Sequence, residues 1–222
     1  MNQLKDITQL HNRFYGLRHG QSLANVAKII SSDPKISTVE HGLSELGKQQ
    51  VLKSAMSFCS SYEMSDYGGV AIYSSDFTRA RETAEIFAAE LRKAKIPLIH
   101  VPNGIQLETR LRERYFGDFN GKSDKHYHDV WKFDCDDADH TEFNVESVNS
   151  VVHRTSRLIL DIEKELSLLN GEKPYQVILV AHGDVLQILQ TAFLKKESKL
   201  HRSLEHLETA TVREFILEGT VL

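Results

Sequence analysis

Three short segments place histidine and arginine directly behind apolar runs. Arg18-His19-Gly20-Gln21-Ser22 follows Phe14-Tyr15-Gly16-Leu17, with Asn25 shortly after. Ser75-Asp76-Phe77-Thr78-Arg79-Ala80 follows Val70-Ala71-Ile72-Tyr73, and His182-Gly183-Asp184 follows the run from Gln176 to Ala181. A fourth segment, Leu111-Arg112-Glu113-Arg114-Tyr115-Phe116-Gly117, sets a carboxyl group among arginines. Guanidinium groups are planar, permanently charged forks that match phosphate oxygens. Imidazole attacks, donates or accepts protons near neutral pH, and a carboxyl group can protonate a leaving oxygen. These residue types suit work on an anionic phosphate ester.

The elements that must position them alternate between strand-like and helix-like. Phe14–Leu17, Val70–Tyr73, Ile96–Val101 and Gln176–Ala181 read as strands. The last is an unbroken Val-Ile-Leu-Val core, as in a strand buried on both faces. Thr211–Leu217 alternates more and reads as an edge strand. Ser44 is a helix N-cap for a segment reaching about Cys59, and Asp76–Ala94 is rich in Ala, Glu, Arg and Leu before Pro97. Glu146–Leu169 lays Val148, Val151, Val152, Thr155, Ile159, Ile162, Leu166 and Leu169 along one stripe, with Asn170-Gly171 as the stop. Asp184–Leu194 is apolar on most sides. This alternation predicts an α/β fold with a mostly parallel sheet, whose functional residues sit just after the strands. Lys122–Asn144 breaks the pattern. It is polar, and we read it as an excursion over one end of the sheet within a single domain spanning 1–222.

Composition narrows the function. The chain has 222 residues, 41% hydrophobic and 26% charged, with a net charge of −4. No nucleic acid or membrane partner is expected from that balance, and a phosphate substrate requires a local cationic cluster. Two cysteines, Cys59 and Cys135, make no disulfide framework. Met1–Leu10 lacks the apolar core of a secretory signal, and Val177–Ala181 is too short to span a bilayer, so a cytoplasmic setting is expected. His126, His128, Asp129, Asp136 and His140 match no standard zinc spacing, so no metal is expected.

The ordered motifs resemble the histidine phosphatase, or phosphoglycerate-mutase-like, superfamily. Its Arg-His-Gly followed by Ser or Thr matches Arg18, His19, Gly20 and Ser22, and its downstream asparagine matches Asn25. Its Ser-x-x-x-Arg-Ala helix start matches Ser75, Arg79 and Ala80, with Thr83 in place. Its Leu-x-Glu-x-x-x-Gly segment matches Leu111, Glu113 and Gly117, and its second His-Gly matches His182 and Gly183. The resemblance implies a three-layer α/β/α sandwich. It also implies His19 as nucleophile and Arg18, Arg79 and His182 as stabilisers of the phosphoryl oxygens, with Glu113 as general acid and then base. Gly20, Ser22, Asn25, Gly183 and Arg114 would bind phosphate or substrate, without metal or cofactor. Arg112 and Arg114 read equally as solvated arginines.

Phe116 stands where the glycolytic mutases carry tyrosine, and their long Arg-Arg and Pro-rich insertion is missing. The resemblance therefore points to the phosphatase branch, acting on a small phosphorylated metabolite. A mutase-type phosphotransferase is the alternative, and a noncatalytic scaffold is a third. Neither the substrate nor the oligomeric state carries a signature in these residues.

Overall fold

The computed structural model describes residues 1–100, 102–169 and 172–220. Its strands are β1 (Arg13–Arg18), β2 (Val70–Ser74), β3 (Gln106–Leu107), β4 (Gln176–Ala181) and β5 (Val212–Phe215). They form one sheet in the order β3-β2-β4-β1-β5. The first four strands in that order are parallel, and β5 runs antiparallel to β1 at the edge.

The helices are α1 (Leu23–Ala27), α2 (Pro34–Ser37), α3 (Glu45–Ser61), α4 (Thr78–Lys93), α5 (Tyr127–Asp134), α6 (Val148–Ser167) and α7 (Gly183–Phe193). Successive strand residues face opposite sides, and β4 divides accordingly. Ile178 and Val180 join Val51, Ala55 and Phe58 of α3 and Ala84, Phe87 and Leu91 of α4. Val177, Leu179 and Ala181 join Val151, Ile159 and Ile162 of α6 and Val185, Leu186 and Leu189 of α7. The result is three layers, with every β4 residue buried. Each fully buried large aliphatic side chain contributes about 1.5–3 kcal/mol.

Ser44 caps α3, its side chain accepting from the Gly47 N–H, and Ser147 does the same for α6 through Ser150 N–H. The predicted stop at Asn170-Gly171 lies outside the described residues. The predicted strand Ile96–Val101 needs correction, with Val101 also outside them. Around it, only Leu98 bridges Val70, and the true edge strand is β3. Pro97 has no N–H to give to a ladder, and Lys95 turns the chain with φ +59°.

Within 122–144, α5 is flanked by single 3₁₀ turns at Asp124–His126 and Glu142–Asn144. A small separate core of Ile30, Phe116, Phe119, Val130 and Val145 underlies it. No helix among the described residues is long and apolar enough to cross a membrane.

Candidate active site

β4 lies between β2 and β1, so three neighbouring strand ends deliver Ser75, His182 and His19 together. The chain leaves β1 and β2 toward the α3/α4 face and leaves β4 toward the α6/α7 face. The crevice between such diverging connections is where parallel sheets bind ligands. A cavity of about 360 Å³ opens there, lined by Arg18, His19, Ser22, Asn25, Arg79, Glu113 and Gly183 among others.

His19 is 3% exposed. Its Nδ1 lies 2.7 Å from the Gly20 carbonyl, which accepts a proton, so Nδ1 carries the hydrogen and Nε2 the lone pair. That lone pair accepts from Arg79 Nε at 3.1 Å. Burial, then the charges of Arg79 and Arg18, hold the imidazole well below the ordinary histidine range, against the Gly20 bond. His19 is therefore neutral at neutral pH.

His182 is fully buried, its ring centroid 5.2 Å from that of His19. Its Nε2 meets Ser75 Oγ at 3.0 Å. Phe77 N–H already donates to Ser75 Oγ, so the hydroxyl proton is free to go to Nε2 and leave Nδ1 as a donor. Burial and the nearby cations keep this ring neutral as well. Arg18 NH1 donates to His206 Nε2 at 2.7 Å and to the Leu207 carbonyl at 2.8 Å. Arg79 NH2 donates to the Ser31 carbonyl at 2.8 Å. Arg18 Nε, Arg79 NH1 and His182 Nδ1 are buried without a hydrogen-bond partner among the described residues.

Glu113 is 8% exposed. Its Oε1 accepts the Arg114 N–H at 3.0 Å. Burial, then the Asp184 carboxylate, push its pKa up to about 7, against Arg79, the Arg114 N–H and Arg18.

The other expected residues divide. Ser22 and Asn25 cap α1 reciprocally, Ser22 Oγ taking the Asn25 N–H and Asn25 Oδ1 the Ser22 N–H, and both line the cavity. Gly183 begins α7, and a Cβ there would sit 3.2 Å from Arg18 Nε. The Gly20 N–H, expected as a phosphate donor, is instead given to Thr83 Oγ1 at 3.2 Å. Gly20 serves close packing: a Cβ would lie 2.5 Å from the Gly47 carbonyl of α3.

Arg114, expected at the substrate, is not brought to the cavity. It is 0% exposed, forked onto both oxygens of Asp134 at 2.7 Å, and donates to the Glu146 carbonyl at 2.7 Å. It ties α5 to the chain before α6. Arg112 is likewise forked onto Asp76. Arg114→Ala is expected to lower unfolding free energy by about 3–5 kcal/mol, the cost of leaving a buried charge alone. Denaturant unfolding measures this. A much smaller loss together with a raised KM would return Arg114 to the substrate.

His206, Ser31, Tyr127 and Trp131 line the site without any motif in the sequence to mark them. Among the described residues, no three His, Cys, Asp or Glu side chains are grouped to hold a metal ion. His126 pairs with Asp129 at 2.8 Å and His140 with Asp134 at 2.6 Å.

The chain resembles a mycobacterial glucosyl-3-phosphoglycerate phosphatase at 25% identity, covering 91% of this chain and 89% of that one, with TM-score 0.69. A structure described as that phosphatase with VO3 gives 25% identity, 91% and 90% coverage and TM-score 0.70. The alpha-ribazole phosphatase from Shigella flexneri shares the fold at 19% identity, 91% and 89% coverage and TM-score 0.63. No curated protein sequence matches. The profile of the histidine phosphatase superfamily (branch 1) matches residues 14–220, and the chain belongs to that superfamily.

Proposed function

We propose that the protein is a phosphatase that removes phosphate from a small phosphorylated metabolite through a phosphohistidine on His19. The observation that carries this reading is the trio of buried donors, Arg18 Nε, Arg79 NH1 and His182 Nδ1, left without partners around a neutral His19. Buried donors without partners are costly, and a tetrahedral oxyanion satisfies several at once.

In this scheme the phosphoryl oxygens take the free N–H groups, and phosphorus takes the His19 Nε2 lone pair in place of the Arg79 Nε bond. The N-terminus of α7 adds favourable potential beside Gly183. The P–O bond to the leaving group breaks as the N–P bond forms, and Glu113 gives its proton to the departing oxygen. The resulting carboxylate then takes a proton from water as the water oxygen attacks phosphorus, and the N–P bond breaks with its electron pair returning to Nε2, which restores neutral His19. Two guanidiniums, together with donor histidine, balance the phosphate charge within the protein. Segment 122–144 forms the roof of this site in a chain acting as one domain.

Phe116, fully buried with its ring against Tyr127, offers no hydroxyl to hold a phosphoglycerate for retransfer. Phosphate release is therefore expected to exceed interconversion of the two phosphoglycerates by a wide margin. Parallel assays of released phosphate and isomerised product test this. Efficient interconversion stimulated by a bisphosphate would establish the mutase reading instead. The relative solved with VO3 suggests the matching probe: vanadate mimics the five-coordinate transition state and should compete with substrate.

A further inference from the structure

Beyond the phosphate floor, the cavity lining includes the exposed Asn25, Lys125 and His128 and the half-buried Asp124, which form its outer part. Asp124 and Lys125 are neighbours of opposite sign, so this mouth is close to neutral when His128 is uncharged. The other arginines nearby are committed elsewhere. Arg112 is forked onto Asp76 and Arg114 onto Asp134, and Arg202 sits over the Trp131 ring, bonded to Gln187. Among the described residues, the outer part thus offers Lys125 alone as a permanent cation, beside its compensating carboxylate.

Trp131 looks at first like a platform for a flat ring. Tyr127 stacks on it, 5.2 Å between centroids and 9° between planes. The Arg202 guanidinium carbon lies 3.6 Å from the Trp131 ring centroid. A guanidinium that close leaves no room for a stacked ring on the same side, so Tyr127 and Arg202 cover opposite faces. The indole N–H is spent on Asp184 at 3.1 Å. Trp131 therefore braces α5 and gives no free face to a nucleobase.

We infer that the leaving group is an uncharged polyhydroxylated one, a monosaccharide or similar polyol, carrying a single phosphate. This rests on the phosphatase reading and specifies its substrate. An acceptor (Asp124), a donor (Lys125), an imidazole (His128) and an amide (Asn25) are the mixed set that hydroxyl groups use. The cavity, about 360 Å³, is at the small end of ligand sites, about 300–1,000 Å³. Among the described residues, a second phosphate or a carboxylate finds one permanent cation in this outer part, Lys125, and Trp131 gives a nucleobase no free face.

The test is a panel assayed for released phosphate: an aryl phosphate, monosaccharide monophosphates, a sugar bisphosphate, 3-phosphoglycerate and nucleoside monophosphates. The best monosaccharide monophosphate is expected to exceed the bisphosphate, the phosphoglycerate and the nucleotides by tenfold or more in kcat/KM. Asp124→Lys should shift the bisphosphate-to-monophosphate ratio toward the bisphosphate at least fivefold. Lys125→Ala should lower the ratio of monosaccharide phosphate to aryl phosphate. Aryl phosphate turnover with phosphoglycerate, bisphosphate or nucleotide as best substrate would overturn the inference and leave the phosphatase reading standing. An unchanged ratio in both variants would also overturn it. Failure to release phosphate from any ester, aryl phosphate included, would defeat the phosphatase reading itself.

Discussion

A rapid quench during turnover is expected to trap acid-labile, alkali-stable phosphate on His19, and His19→Ala is expected to lower turnover about 10⁴-fold or more. Two histidines stand 5.2 Å apart, and the geometry separates them. His19 lines the cavity, and its proton is fixed on Nδ1 by the Gly20 carbonyl, so its lone pair is on Nε2. His182 is fully buried, its Nε2 engaged by Ser75, which leaves it a donor toward the oxygens rather than a nucleophile. His182→Ala should therefore slow both steps about 10²–10³-fold, the usual loss on deleting an oxyanion donor, yet still accumulate label on His19. The depressed pKa of His19 has a sign as well. The free imidazole persists into acid, so the acid limb of the rate should fall below the ordinary histidine range and not at it. Label on His182, or undiminished turnover in His19→Ala, would overturn the assignment.

The place of the proposed nucleophile was legible in the chain because its neighbourhood is local. A buried parallel strand must end abruptly, and the residue after it faces the crevice. Arg18-His19 and His182-Gly183 sit at such ends, and Arg79 lies in the first turn of the helix that follows β2. What stayed hidden depends on distant partners. Arg114 reads as a surface or substrate arginine until Asp134, 20 residues on, and Asp184, 70 residues on, close around it. His206 holds Arg18 from 188 residues away, in a loop with no periodicity. The Gly20 N–H looked free because Thr83, 63 residues downstream, was needed to claim it. The third strand departs for another reason: the apolar content of Ile96–Val101 suggests a strand, but Pro97 lacks the N–H that pairing requires.

Glu113→Gln is expected to cut the phosphorylation step for alkyl phosphates by about 10²–10⁴-fold in single turnover, the span of general acid catalysis, and to spare aryl phosphates. An alkoxide leaves poorly without a proton, whereas a phenolate with a low pKa hardly needs one. The sequence set arginines beside this glutamate, which favour the ionised form. The structure shows why they do not prevail. The Arg114 guanidinium is turned away onto Asp134, so only its backbone N–H reaches Glu113. Burial and Asp184 outweigh Arg79 and Arg18, and the carboxyl group titrates near 7. An acid must hold its proton to give it, so the alkyl phosphate rate should be full below pH 7 and fall as pH rises through it. Bound phosphate dianion adds negative charge and moves that fall upward in kcat relative to kcat/KM. The rival carboxylates are poorly placed. Glu108 is held in its charged form by hydrogen bonds from Arg110, and Asp118 accepts from Asn144. Neither lines the cavity. Equal damage to alkyl and aryl esters in Glu113→Gln would mean that Glu113 acts through charge or position, because only proton transfer distinguishes a good leaving group from a poor one.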